Sequence, residues 1–262
     1  MTAGRWFAPL AGAALALALA FLGLPLLALF LDTPPAALVR SLGEPTARDA
    51  LWLSLRTTAV AMALILVVGT PAAYLLATRR FRGRALVVTL VELPLVLPPA
   101  VAGIALLATY GEQGLLGGHV DVVFTTPAVV IAVIFVASPF YLRGAQAAFA
   151  AVDPTLLEAS RTLGAGPART FAAVAVPAAV AGLGAGAALA LGRALGEFGA
   201  TLMFAGSLQG ITQTAPLAIY NEFANDFPAA LALSAILVVV SAGVLAAVKL
   251  VAEPTALRGV AR

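Results

Sequence analysis

The chain has 262 residues, 62% hydrophobic and 10% charged, with a mean hydropathy of +1.04. A soluble domain averages about 45–50% apolar and about 25% charged residues, so this composition excludes an ordinary soluble enzyme, a disordered chain and a nucleic-acid binder, and points to a polytopic helical membrane protein. The absence of cysteine excludes disulfides, thiolate nucleophiles and cysteine-based metal sites, and with a net charge of only +3 the placement of the arginines matters more than their sum.

A helix needs about 20 mostly apolar residues to cross a bilayer. Six stretches satisfy this: 6–31, 51–78, 85–110, 125–142, 171–204 and 229–252. The first follows Arg5 and contains Ala18-Leu19-Ala20, which imitates a signal-peptide cleavage site. Its apolar run continues to Leu31, longer than a signal peptide's core, and predicts a retained helix. Residues 1–48 form this helix and an outer loop, 49–250 the main membrane domain, and 251–262 a tail.

The second span is followed by Arg79-Arg80-Phe81-Arg82-Gly83-Arg84, which reads as a topology anchor. The third holds Glu92 beside Leu93-Pro94-Leu95-Val96-Leu97-Pro98-Pro99. Prolines free backbone carbonyls that must face protein or water, so Glu92, Pro94 and Pro98 mark either a structural kink or a solute path. The loop 111–124 after it carries His119, the only histidine, which reads as a solvated residue.

Between the fourth and fifth spans lies Val152-Asp153-Pro154-Thr155-Leu156-Leu157-Glu158-Ala159-Ser160-Arg161-Thr162-Leu163-Gly164. Asp153 suits an N-cap, Pro154 the first helical position and Gly164 the left-handed residue past the end. The spacing puts Leu156, Leu157, Ser160 and Leu163 on one side and Glu158 and Arg161 on a more polar one. Such a helix lies in the lipid interface or inserts into a partner's groove.

The fifth span is too long for one simple crossing, and its start, before Pro177, belongs at the interface. It contains Leu191-Gly192-Arg193-Ala194-Leu195-Gly196-Glu197-Phe198-Gly199-Ala200-Thr201. Charges at membrane depth are costly. Arg193 and Glu197, four apart, form a self-neutralising structural pair or a gate exposed to the solute. Gly182 to Gly186 and Gly192 to Gly196 have the spacing of close helix contacts, at an internal or a dimer seam. Loops 111–124 and 205–228 are candidate docking surfaces.

With six spans both termini share one side. That side receives Arg5, the 79–84 cluster, Arg143, Arg161, Arg169, Arg258 and Arg262, while most acidic residues fall on the other. The bias predicts cytoplasmic termini. The only lysine is Lys249, with no phosphate-cradling glycine loop before it, so energy comes from a separate subunit or an ion gradient.

The segment Glu158-Ala159-Ser160, then Gly164, then Val174-Ala175-Val176-Pro177 resembles the cytoplasmic signature of permease subunits of bacterial ATP-binding-cassette importers. All spacings match; Ser160, Val174 and Val176 are size-conservative departures. The resemblance implies an all-α membrane protein of the type I importer architecture, with six transmembrane helices and a coupling helix between the fourth and fifth. Asp153, Leu156, Leu157, Glu158, Ala159, Ser160, Arg161, Leu163 and Gly164 would engage the ATPase, with Glu158 and Gly164 central. It further implies a second copy of the chain, a cytoplasmic ATPase dimer that uses ATP and Mg, and an external binding protein. No cofactor, metal, catalytic residue or nucleic acid is expected in this chain.

Three runs are similar to molybdate/tungstate permeases: Ala194 through Gly206, Leu93-Pro94-Leu95-Val96-Leu97-Pro98-Pro99, and Thr212-Gln213-Thr214-Ala215-Pro216-Leu217-Ala218-Ile219-Tyr220. Sulfate permeases share the Gly-Glu-Phe-Gly portion and differ after it. Molybdate or tungstate is therefore the expected cargo, in a bacterial or archaeal cell membrane. Glu92, Pro94, Pro98, Arg193, Glu197, Phe198 and Thr201 are the candidate path or gate. Sulfate or thiosulfate import by the same machinery, an ion-coupled secondary transporter, and a non-transporting scaffold are the alternatives.

Overall fold

The computed structural model describes residues 4–252, and every regular element among them is helical. Arg258, Arg262 and the rest of the predicted tail from position 253 lie outside the described residues, as does the side chain of Arg5. In chain order come α1 (Gly4–Leu31), α2 (Pro35–Gly43), α3 (Pro45–Thr78), α4 (Arg84–Val96), α5 (Pro99–Tyr110) and α6 (Thr126–Ala150). Then follow α7 (Pro154–Thr162), α8 (Pro167–Thr170), a π-helical turn (Phe171–Ala175), α9 (Val176–Leu195), α10 (Gly199–Ala205), α11 (Ala215–Asn225) and α12 (Phe227–Ala252). Five of these helical stretches are long and apolar enough to cross a membrane, and α4 with α5 makes a sixth if the pair is one span. The boundary expected at 48/49 falls inside α3.

The centre of the fold is α6, whose packing against α3 on one side and α9 on the other is the most extensive in the molecule. Thr70 and Tyr141 share a hydrogen bond of 2.6 Å, and the Tyr74 and Phe149 rings lie 5.3 Å apart, so α3 and α6 run parallel. Gly144 faces Gly186 while Ala148 faces Gly182, so α9 runs antiparallel to α6. A Cβ built on Gly144 would lie 2.7 Å from the Gly186 Cα, and one on Gly182 would lie 2.5 Å from the Ala148 Cβ. Lipid is as apolar as leucine, so helices in a bilayer gain little from burying leucine and much from close backbone approach. The core accordingly mixes Ala61, Ala132, Ala137, Ala145 and Ala190 with a few large residues such as Ile65, Val133 and Tyr141.

Two expected spans are not single helices. The third breaks between α4 and α5, whose axes differ by 117°. Leu97 and Pro98 are extended (ψ 132° and 136°), and Pro99 opens α5. A residue before proline avoids the helical region, and proline at the first helical position loses no bond, so Leu97-Pro98-Pro99 both ends one helix and starts the next. The fifth opens at Pro167 and breaks again at 196–198. Pro177 cannot donate to the carbonyl four residues back and crowds it, and the wider π turn just before Pro177 relieves that crowding.

The remaining spans extend beyond their expected bounds at some ends. The second starts at Pro45, the fourth continues to Ala150, and the sixth starts at Phe227. The expected outer loop 205–228 contains α11, and its Thr212, Gln213 and Thr214 are buried. Ser54 on α3 holds this segment by accepting the Ala215 N–H at 2.7 Å. α1 touches little besides α12, and none of its spanning stretch is buried within the chain.

Candidate functional site: a projecting helix and a buried ion pair

α7 forms from local punctuation. The Asp153 carboxylate accepts the Thr155 N–H at 2.9 Å, filling one of the unpaired donors at the helix start. At the other end Gly164 has φ +83°, donating its N–H to the Arg161 carbonyl (2.9 Å), and Ala165 donates to Ser160 (3.0 Å). These two bonds are the glycine-terminated stop predicted for this position. No atom lies within 4 Å of a Cβ built on Gly164, so backbone conformation alone selects glycine there.

The expected single apolar side is divided in the structure. Leu157 is buried in the main core, and the Ser160 hydroxyl lies 3.1 Å from that of the buried Thr170. Leu156 and Leu163 point away and are exposed, with Ala159 between them on the same face. Seven residues make almost two full turns, so 156 and 163 align, while 157 lies about 100° round from 156 and 160 falls between the two directions. Glu158 and Arg161 are exposed and unpaired with each other among the described residues. Beneath the helix, Phe171 of the π turn packs on Tyr74 at 5.0 Å and Phe149 at 6.2 Å, so α7 rests on α8 and the π turn, which in turn rests on the ends of α3 and α6.

Thr155, through its backbone N–H first and its hydroxyl second, holds the Asp153 carboxyl below its ordinary pKa. The folded value being depressed, the cap's contribution is complete above the ordinary carboxylate range and fades as pH falls through the lowered value. Asp153→Ala is expected to fray the first turn of α7 at neutral pH and to make little difference in acid. Amide exchange at Leu156 and Leu157 measures both.

The buried pair sits at the 196–198 break. Arg193 Nη2 lies 2.6 Å from Glu197 Oε2, and Glu197 Oε1 accepts the Ala200 N–H at 2.7 Å. Oε2 has no aligned hydrogen-bond donor, so the arginine contact is an ion pair rather than a directed bond. Glu197 therefore does two jobs: it neutralises an arginine and it satisfies a free N–H in the first turn of α10. Glu197 is eleven residues past Gly186, about 16 Å along from the α6 contact at the helical rise, and two residues past the end of the fifth apolar span at Leu195. Phe198 packs on Tyr220 of α11 at 5.1 Å. Thr201 is fully buried and its hydroxyl has no partner.

The path candidates do not converge. Glu92 pairs with Arg143 of α6 at 2.5 Å, not with Arg193 or Glu197. Pro94 lies inside α4, and Pro98 forms the corner before α5. Arg143 and Tyr220 are the residues that sequence reasoning missed. The glycine pairs also separate: Gly182 and Gly186 face α6, whereas Gly192 and Gly196 are exposed. At the end opposite α7, loop 111–124 encloses a cavity of about 630 Å³ lined by Tyr110, Glu112, His119, Asp121 and Phe124.

This arrangement leaves a helix face free for a partner and holds an arginine against a buried carboxylate. Residues 66–253 match the family described as "Binding-protein-dependent transport system inner membrane component". The chain belongs to that family. It is a multi-pass membrane permease subunit, and the signature on α7 and the helical architecture agree with the expectation from sequence. The permease is 40% identical over 227 residues to the molybdenum transport system permease protein ModB of Mycobacterium tuberculosis, covering 85% of this chain and 86% of that protein. It is 34% identical over 192 residues to the sulfate transport system permease protein CysW of Synechocystis, covering 71% and 70%. Its fold matches a bacterial alginate ABC transporter in complex with an alginate pentasaccharide-bound periplasmic protein, with TM-score 0.73, 17% identity, and 95% and 93% of the two chains covered.

Proposed function

We propose that the permease imports molybdate or tungstate, working as a pair of copies with a cytoplasmic ATPase on each α7 and an external oxyanion-binding protein at the opposite end. The observation that carries this reading is α7 itself. It is a doubly capped helix outside the spans, with the Glu158, Gly164 and Pro177 spacing of the importer signature and with Leu156 and Leu163 exposed for a partner groove. ATP and Mg belong to the ATPase. Its closure would shift the permease between inward- and outward-facing states through contacts that differ between the two. Of the candidate residues, Arg193, Glu197, Phe198 and Thr201 meet at the 196–198 break and form the gate, while Glu92, Pro94 and Pro98 belong to the path elsewhere along it, on α4 and its corner with α5. Loop 111–124 and the exposed parts of 205–228 receive the binding protein.

Both termini lie in the cytoplasm. Arg79, Arg80, Arg82, Arg84, Arg143, Arg161 and Arg169 gather toward the α7 end of the bundle, which supports that orientation through the positive-inside bias. The stronger likeness to ModB than to CysW supports molybdenum cargo. Uptake of labelled molybdate into vesicles bearing permease, ATPase and binding protein tests it. Uptake should require ATP and be displaced by equimolar tungstate but not by equimolar sulfate. Equal displacement by sulfate moves the assignment to the sulfate reading that the likeness to CysW keeps in view. Uptake by this chain alone, blocked by an uncoupler and indifferent to ATP, would replace it with ion-coupled transport.

A further inference from the structure

The two halves of the buried pair are held unequally. Glu197 is 2% exposed and tied to the backbone of α10 through Oε1, while only Oε2 faces the arginine. The Arg193 side chain keeps 25% exposure, and Glu197 is its only carboxylate partner among the described residues. Open space lies beside it, since a Cβ built on Gly192 meets nothing within 4 Å and one on Gly196 meets only the carbonyl of Gly192. From Gly196 back along α9, the exposed positions Gly192, Leu189, Ala185, Ala181 and Ala178 form one strip at helical spacing with no charge and no side-chain donor.

We infer that Arg193 is the residue that contacts the passing oxyanion, and that Glu197 is a positioning residue that masks it between passages. The inference rests on the import of an oxyanion proposed above. A tetrahedral oxyanion offers the guanidinium the same kind of acceptor oxygens as a carboxylate does, so it competes directly with Oε2. When Arg193 turns to the anion, Glu197 stays in place because the Ala200 N–H still holds it. Its Oε2 is then a buried charge without a cation, which is costly, and it draws Arg193 back once the anion moves on. The uncharged strip toward the α7 end gives the released anion nothing to bind. Contact is therefore brief, as a path requires.

The natural lack of cysteine allows a direct test. Gly192→Cys places a single thiol beside Arg193 at a position with room for it. In the assembled transporter in vesicles, its rate of modification is compared for two methanethiosulfonates, a sulfonatoethyl anion and a trimethylammonioethyl cation. Adding Glu197→Gln should raise the anion-to-cation rate ratio at least threefold, because the amide still accepts the Ala200 N–H but no longer neutralises the arginine. Adding Arg193→Gln should lower the ratio at least threefold, and molybdate should slow the anionic reagent in the Glu197→Gln background. If Glu197→Gln does not reach the membrane, the Arg193→Gln ratio decides alone. A thiol inert to both reagents, or a ratio that neither substitution moves, overturns the inference and leaves the pair a sealed structural tie. Failure of the unsubstituted transporter to take up molybdate, with the ratio shifts intact, would overturn the import reading and leave the masked cation standing.

Discussion

Gly164→Pro is expected to cut ATPase co-purification and uptake at least about tenfold while the permease still inserts in the membrane. Proline fixes φ near −65°, about the opposite sign from the +83° of Gly164, and removes the N–H that bonds Arg161. The last turn of α7 must then unwind, which re-aims the exposed Leu163 and shifts Ser160 from Thr170. Insertion is spared because residues 153–164 lie outside the spans. Gly164→Ala, which costs only about 1–2 kcal/mol for the left-handed backbone, should fall between the two. Full ATPase association with full uptake in the proline variant would remove α7 from the coupling role.

Gly144→Val should be the most damaging single change to the bundle. Its Cβ would meet the Gly186 backbone at 2.7 Å, and backbone cannot rotate aside as a side chain can. Forcing α6 and α9 apart costs the packing of the whole seam, about 3 kcal/mol or more on the scale of severe overpacking. The measurement is thermal unfolding of the detergent-purified protein, with membrane abundance as a second readout. Gly192→Ala, on the open face of α9, is the control and should stay within about 1 kcal/mol of the parent. Equal loss in both variants would mean that helix flexibility, not the α6–α9 approach, is what these glycines supply.

What could be read from the sequence is what neighbours in the chain decide. The start and stop of α7 depend on Asp153, Pro154 and Gly164 acting within a few residues, and both matched expectation. The six apolar stretches were visible for the same reason. The prolines after Glu92 announced a disturbance, but the 117° turn depends on what α5 packs against, including Tyr110 on Phe204 at 5.8 Å. The bond between Glu92 and Arg143 joins positions 51 apart, and nothing local selects that partner. Helical spacing placed four residues of α7 on one side. The core instead claimed Leu157 and Ser160 and left Leu156 and Leu163 outside, because the tilt of a helix on its support is a tertiary property. The break at 196–198 was masked by glycines that also suit helix packing, and only the Glu197 carboxylate reaching the Ala200 N–H reveals why the chain stops there.

If the stretch from Pro167 to Leu195 pivots as a rigid body, its natural fulcrum is the glycine seam, where backbone meets backbone. About 17–19 residues lie on the α7 side of that crossing and about 9–11 on the side of the ion pair, which makes arms of roughly 27 and 15 Å at the helical rise. A push delivered at the long arm reaches the short arm reversed in direction and roughly halved in travel. Gearing of that kind trades distance for force, and suits a site where a strong pair of opposite charges has to be pried open by a small amount.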